Sequence, residues 1–167
     1  MPHTEHKHNA PVKVTCAVLT ISDTRTQKND ESGKLIMEKL KEGGHEIKFY
    51  ETLQDNLPLI ASVLKHMIMG NVEVIITNGG TGISKRDVTY EAVKKVLTKE
   101  ITGFGELFRY LSYEEIGSSA MMSRALAGVC KGGTVIISIP GSVYAVELAM
   151  DKLILPELGH LVYEANK

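Results

Sequence analysis

The chain has 167 residues, 43% of them hydrophobic and 23% charged, with a formal net charge of −1. That length and composition predict one domain able to bury its own core without staples, and the near-neutral charge argues against a general nucleic-acid or anionic-membrane partner, which needs a large positive excess. Two distant cysteines, Cys16 and Cys130, make neither a disulfide framework nor a zinc site, so a reducing cytoplasm is the expected setting.

Residues 1–11, "MPHTEHKHNAP", contain no apolar signal core and read as a flexible arm preceding a single domain over 12–167. His3, His6 and His8 in this arm could bind metal, but a solvated arm is the favoured reading, since the sequence sets no fixed ligand set around them. Residues 12–21, "VKVTCAVLTI", predict a buried strand with Val12, Val14, Cys16 and Val18 in register. "SGKLIMEKLKEGG" predicts a helix with Asp30 and Glu31 at its start, Leu35, Ile36 and Leu40 at helical spacing, and Gly43-Gly44 as its stop. Residues 45–53 predict a second strand, with Ile47, Phe49 and Glu51 on one face and Glu46, Lys48 and Tyr50 on the other. A helix over about 57–69 follows, with Pro58 in its first turn and Gly70 ending it.

"VEVIIT", 72–77, is nearly continuously apolar and predicts a central strand. After it comes the glycine loop, then a helix capped by Thr89 with Tyr90, Val93 and Leu97 on one face. Residues 101–117 predict a short helix within a long functional loop. Residues 118–128 predict a helix capped by Ser118 or Ser119, and 132–141 a fourth strand. The remainder predicts a helix interrupted or kinked at Pro156. Phe104, Phe108 and Tyr110 are candidate interface or pocket-closing groups. Met67, Met69, Met121, Met122 and Met150 are expected in the core. No internal repeat and no membrane-length apolar run of about 18 residues is present.

Strands alternating with helices predict an α/β fold: three αβα layers around a mostly parallel, doubly wound sheet. Ligands in such folds sit beyond the carboxyl ends of the strands, where the strand order reverses. Three polar loops fall there: "SDTRT" (22–26), "NGGTGISKRD" (78–87) and "PGS" (140–142).

The glycine loop is neither a Walker A motif nor a dinucleotide fingerprint. Gly79, Gly80 and Gly82 nevertheless allow positive φ and close approach of a ligand to the backbone, and Thr81 adds a hydroxyl. Lys85 and Arg86 add cationic charge. Asp87 repels phosphate unless a cation lies between them, and Mg²⁺ is the natural intermediary. Phosphoryl or nucleotidyl transfer is one reading; a tight turn in which Asp87 favours the helix N-terminus is the other. Asp55 falls on the same sheet edge as a second ligand or a helix cap. Asp23 there is either a ligand or a turn residue fixing its own backbone. The scattered His45, His66 and His160 read as structural.

These segments together resemble the MoaB/MogA family of molybdenum cofactor biosynthesis proteins, the MoaB branch most. "ISDT" (21–24), "DESG" (30–33), "LQDN" (53–56), "TNGGTGISKRDVTYEA" (77–92), "GFGELFR" (103–109), "LSYEEIGSSAMMSRALAG" (111–128) and "SIPGS" (138–142) carry the match over roughly 12–165. The resemblance implies a molybdopterin-binding, MogA-like fold and adenylylation of molybdopterin by Mg·ATP with release of pyrophosphate. It also implies that a partner enzyme inserts molybdate or tungstate, and that the chain forms a homotrimer or homohexamer. By position, Asp87 matches the essential acid and Asp55 the second carboxylate, both as catalytic and Mg²⁺-holding groups. Gly79, Gly80, Thr81 and Gly82 match the phosphate- and pterin-contacting loop. Ser118, Ser119 and Ser142 match pocket-lining segments, with Lys85 or Arg109 as assistants. Tyr90 stands where a proline is commoner. A non-catalytic molybdopterin-binding or carrier protein on the same fold is the alternative that the resemblance leaves open.

Overall fold

The structure is a computed structural model and describes residues 10–167, so the expectation for the histidine-bearing arm lies outside it. In chain order the elements are β1 (Thr15–Ile21), α1 (Glu31–Glu42), β2 (Glu46–Leu53), α2 (Leu57–Met69), β3 (Val74–Asn78), α3 (Thr89–Lys94), β4 (Leu97–Glu100) and α4 (Thr102–Ile116). A 3₁₀ turn (Gly117–Met122), β5 (Leu126–Cys130), β6 (Val135–Ile139), α5 (Val143–Ala149), a π turn (Met150–Ile154) and α6 (Leu155–Asn166) complete it.

Six strands form one sheet in the order β2-β1-β3-β6-β5-β4. The first four are parallel; β5 pairs antiparallel with both β6 and β4. One face packs Val18, Ile76 and Ile137 beneath α1, α4 and α5–α6, through Ile36, Phe108 and Val146. The opposite face packs Leu19, Ile75 and Ile136 beneath α2 and α3, through Leu64 and Val93. Each large side chain buried completely in these layers contributes about 1.5–3 kcal/mol. The predicted three-layer αβα arrangement is what the chain adopts.

Caps and stops follow local chemistry. Asp30 caps α1, its Oδ1 accepting from the Gly33 amide at 2.9 Å. Asn56, not Asp55, caps α2 by accepting from the Leu59 amide at 3.0 Å. Near Pro156 the expected interruption takes the form of the π turn, which ends just before it.

Several expectations fail for identifiable reasons. The 118–128 segment is no helix: it is a 3₁₀ turn leading into β5, paired on both sides. A Cβ on Gly128 would come within 2.4 Å of the Lys99 carbonyl oxygen, so close strand pairing requires that glycine. Residues 102–116 are one helix of 15 residues rather than a short helix in a loop. It buries Phe108 and Ser112, and Gly105 lets it approach Ala125, whose oxygen lies 2.6 Å from where a Cβ would stand. Helix α3 stops at Lys94, and Leu97 begins β4. Thr89 is the first helical residue, and Val88 precedes it without a side-chain cap.

The register of β2 shifts opposite Cys16/Ala17, where Cys16 faces Ile47 and Ala17 faces Phe49. This bulge at Lys48 reverses the predicted face pattern. Ile47 and Tyr50 pack on one side of the sheet and Phe49 on the other. Phe108 is core, Phe104 half-buried, and Tyr110 alone of the three is exposed. Met67 and Met150 are buried as expected, but Met69, Met121 and Met122 are exposed.

Candidate functional site

Strand β1 has β2 on one side and β3 on the other, so the chain leaves β1 and β3 in opposite directions. The crevice this creates lies at their carboxyl ends, where 22–30 and 79–88 meet. Strand β6 lies beside β3 and delivers the 140–142 turn to the same edge.

The glycine loop is shaped by close contacts, and at Gly79 and Gly80 they leave no room for a side chain. Gly79 has φ +98° and donates its amide to the Ile139 carbonyl at 3.0 Å. A Cβ on it would stand 2.1 Å from the Ile21 carbonyl oxygen. Gly80 has φ +69°, and its Cβ would stand 2.1 Å from Thr89 Oγ1 and 2.9 Å from Asp55 Oδ1. The Thr89 amide in turn donates to the Gly80 carbonyl at 3.1 Å. At Gly82 the nearest group is Asp87 Oδ2, 2.8 Å from the position of a Cβ. That same Oδ2 accepts from the Ser84 amide at 2.8 Å, which folds the loop back over its acid.

On one flank the loop meets carboxylates. Asp55 is raised above the usual carboxylate range by burial, then by the charges of Asp23 and Asp87, with Arg86 opposing. Asp23 fixes no backbone of its own turn; its Oδ1 accepts from the Asp55 amide and its Oδ2 pairs with Arg86 at 3.3 Å. Asp55 Oδ1, Thr89 Oγ1 and Asn78 Oδ1 are the buried side-chain oxygens without a hydrogen-bond partner among the described residues. All three adjoin or belong to the glycine loop. Native proteins rarely leave such atoms unmatched.

A divalent cation fits this chemistry. No three His, Cys, Asp or Glu side chains among the described residues converge into a cage. Mg²⁺ needs none, since it takes one or two carboxylates and completes its shell with waters and substrate phosphates. Asp55, with a lone buried oxygen and two like-charged neighbours, is the group a cation would relieve.

On the other flank is a cleft of about 300 Å³ lined by Thr81, Gly82, Phe108, Ile116, Ser119, Met122, Ser123, Ser142 and Tyr144 among others. Its walls are mainly apolar, with hydroxyls near the loop, as small-molecule sites are. Ser142 also caps α5, its Oγ accepting from the Ala145 amide at 3.1 Å. Ser118 is exposed on the 3₁₀ turn and does not line the cleft. The structure thus gathers Gly79, Gly80, Thr81, Gly82, Asp23, Asp55 and Asp87 around one crevice, with Ser119 and Ser142 in the adjoining cleft.

Lys85 is exposed at the tip of the loop. Arg109 is a structural tie, donating to the Ser123 and Ala125 carbonyls at 3.3 and 3.1 Å. Two arginines that sequence reasoning passed over do reach the site. Arg25 binds Ser32 Oγ and donates to the Gly141 carbonyl at 2.7 Å, joining the first loop to the third. Arg124 reaches the glycine loop from the segment just before β5. Both act across more than 30 residues of sequence, and neither is signalled by local spacing.

Residues 17–160 match the family described as "Probable molybdopterin binding domain". Over 169 aligned positions the chain is 56% identical to molybdenum cofactor biosynthesis protein B of Bacillus cereus, covering 100% of this chain and 99% of the relative. The structure superposes with TM-score 0.87 on the tungsten cofactor synthesizing protein MoaB from Pyrococcus furiosus, at 36% identity, covering 95% of this chain and 100% of the other. A MogA structure superposes with TM-score 0.82 at 28% identity, covering 90% and 99%.

Proposed function

The chain belongs to the molybdopterin-binding family of molybdenum cofactor biosynthesis proteins, and on that premise we propose that it is a molybdopterin adenylyltransferase. The phosphate of molybdopterin attacks the α-phosphorus of ATP. A new P–O–P bond forms, the bond between the α-phosphorus and the bridging oxygen breaks, and pyrophosphate leaves with the electron pair. Both reactants bring their own functional groups, so no activated side-chain nucleophile is required. The protein's task is to align two anions and to offset charge developing between them.

The apolar cleft suits the pterin ring system, with Ser119 and Ser142 as hydrogen-bonding groups. Thr81 and Gly82 line the cleft and also belong to the loop; on this reading the pterin's phosphate meets the triphosphate beside their backbone. Backbone amides in the glycine turn cradle phosphate oxygens. Bound Mg²⁺ supplies the positive charge that lets triphosphate and carboxylates share the crevice. Asp87 and Asp55 hold it, while Asp23 fixes the Asp55 backbone and restrains Arg86.

The observation that carries this reading is the lone Asp55 Oδ1, buried beside the glycine turn among like charges. A pure pterin binder has no use for it. The same reading puts the protein in the cytoplasm as a homotrimer or homohexamer that passes its product to a metal-insertion enzyme. No helix among the described residues is long and apolar enough to cross a membrane. Incubation with molybdopterin and Mg·ATP tests the proposal: pyrophosphate is released in step with adenylylated product. Tight molybdopterin binding without pyrophosphate would select the carrier role instead.

A further inference from the structure

Arg124 makes four separate connections to one short stretch of chain. Its backbone amide donates to the Thr81 carbonyl at 2.8 Å. Its Nε donates to the Gly82 carbonyl at 2.8 Å and its Nη2 to the Asp87 carbonyl at 2.9 Å. The remaining edge of the guanidinium pairs with both carboxylate oxygens of Glu91, on α3. The Tyr90 ring lies against it, 5.0 Å from Cζ to the ring centre.

Those contacts pin residues 81, 82 and 87; between them the main tie beyond the loop is the ion pair of Arg86 with Asp23. Ile83, Ser84, Lys85 and Arg86 are exposed. Within the loop, Asp87 and Ser84 hold each other through a side-chain and a backbone bond, which sets the loop's shape but not its place on the sheet. The planar fork of Arg124 does that, because it contacts both ends at once. Glu91 orients the fork; its own carboxyl is held below the usual range chiefly by this hydrogen bond. Ser123, the residue before it in the chain, lines the cleft. One residue therefore sets the distance between the cleft wall, the Gly82 backbone and the acid at 87.

We propose that Arg124 is a positioning residue that holds Asp87 in register with the glycine turn, with Glu91 and Tyr90 locking its guanidinium. It touches neither substrate nor cation. It acts through the carbonyls of Gly82 and Asp87, and a lysine cannot replace it, because one ammonium cannot reach both carbonyls and Glu91 in the same plane. The activity half of this inference rests on the adenylyl-transfer reading; the structural half does not.

Full-length Arg124→Lys tests it in two ways. Amide hydrogen exchange of the free protein is expected to quicken about tenfold over residues 82–88 while β3 and β6 keep their protection. Pyrophosphate release is expected to fall about 10–100-fold in turnover, with KM for both substrates within about threefold of wild type. Glu91→Gln, which keeps the size of the side chain and removes its charge, moves both readings in the same sense by less. Unchanged exchange over 82–88 overturns the proposal. So does a raised KM with turnover intact, which makes Arg124 a binding group. Failure of both variants to fold also contradicts it, since a tie confined to this loop leaves the sheet standing. If wild type releases no pyrophosphate the adenylyl-transfer reading falls, and the exchange result alone decides the role of Arg124.

Discussion

The backbone amide of Asp55 donates to Asp23 Oδ1 at 3.1 Å, which latches the end of β2 to the end of β1 at the mouth of the crevice. Two carboxylates are brought together by a bond that uses only one of them. Asp55 keeps its own side chain for something else, and its buried Oδ1 has no hydrogen-bond partner among the described residues.

That arrangement has a cost that should be measurable. Asp55 is raised above the ordinary carboxylate range, by burial first and then by Asp23 and Asp87. The folded state thus binds this proton more tightly than the unfolded chain. Its stabilising contribution is present below the unfolded value and is lost as pH rises through the folded one. At neutral pH the charged carboxylate opposes folding. Asp55→Asn is expected to raise the melting temperature of the free protein by about 1–3 °C at pH 7, with the gain shrinking toward about pH 4. Thermal melts at both pH values check this; a lower melting point at pH 7 contradicts it.

Alanine at two loop glycines should separate stability from activity. At Gly80 the positive φ and the contact with Thr89 cannot be relieved without moving backbone. Gly80→Ala is expected to cost roughly 2 kcal/mol or more in urea unfolding. At Gly82 the added Cβ meets only the far end of the Asp87 side chain. Gly82→Ala should stay within about 0.5 kcal/mol of wild type, yet lose at least about tenfold in pyrophosphate release because Asp87 is displaced. Equal effects of the two changes on stability would count against this account of the loop.

How much of this was legible in the sequence depends on where each signal lay. Strands β1, β3 and β6 are continuous apolar runs, and the loops at their ends carry their chemistry locally. From them the sheet edge and the glycine loop could be read directly. Strand β5 could not: Leu126, Ala127 and Cys130 are buried between two neighbouring strands, so no period of two survives, and alanine-rich composition imitates a helix. The helix at 102–116 hid behind Gly103 and Gly105, although Phe104, Phe108 and Ser112 stand at its four-residue spacing. Thr89 looked like a cap; instead its hydroxyl is buried without a partner among the described residues, and its amide closes the loop. The bulge at Lys48 and the reach of Arg25 and Arg124 are tertiary facts, visible only once distant segments meet.

The two serines of the cleft should also part company. Ser142 caps α5 as well as lining the cleft, whereas Ser119 has only the second role among the contacts described. Ser142→Ala is expected to cost about 1 kcal/mol in stability, and Ser119→Ala less than about 0.5 kcal/mol. Both should weaken molybdopterin binding by about 0.5–1.5 kcal/mol, the worth of one hydrogen bond. Ser142→Asp, which keeps a cap, should restore stability without restoring affinity. Unfolding curves and titrations with molybdopterin give the comparison.

The most direct measurement is pyrophosphate release from molybdopterin and Mg·ATP by wild type and by Asp87→Asn, with melting curves run on both. Wild type is expected to turn over, and the variant to lose about 100-fold or more in rate with its melting point nearly unchanged. Equal turnover by the two proteins, or none by wild type while it still binds molybdopterin, would contradict the assignment of adenylyl transfer to this crevice.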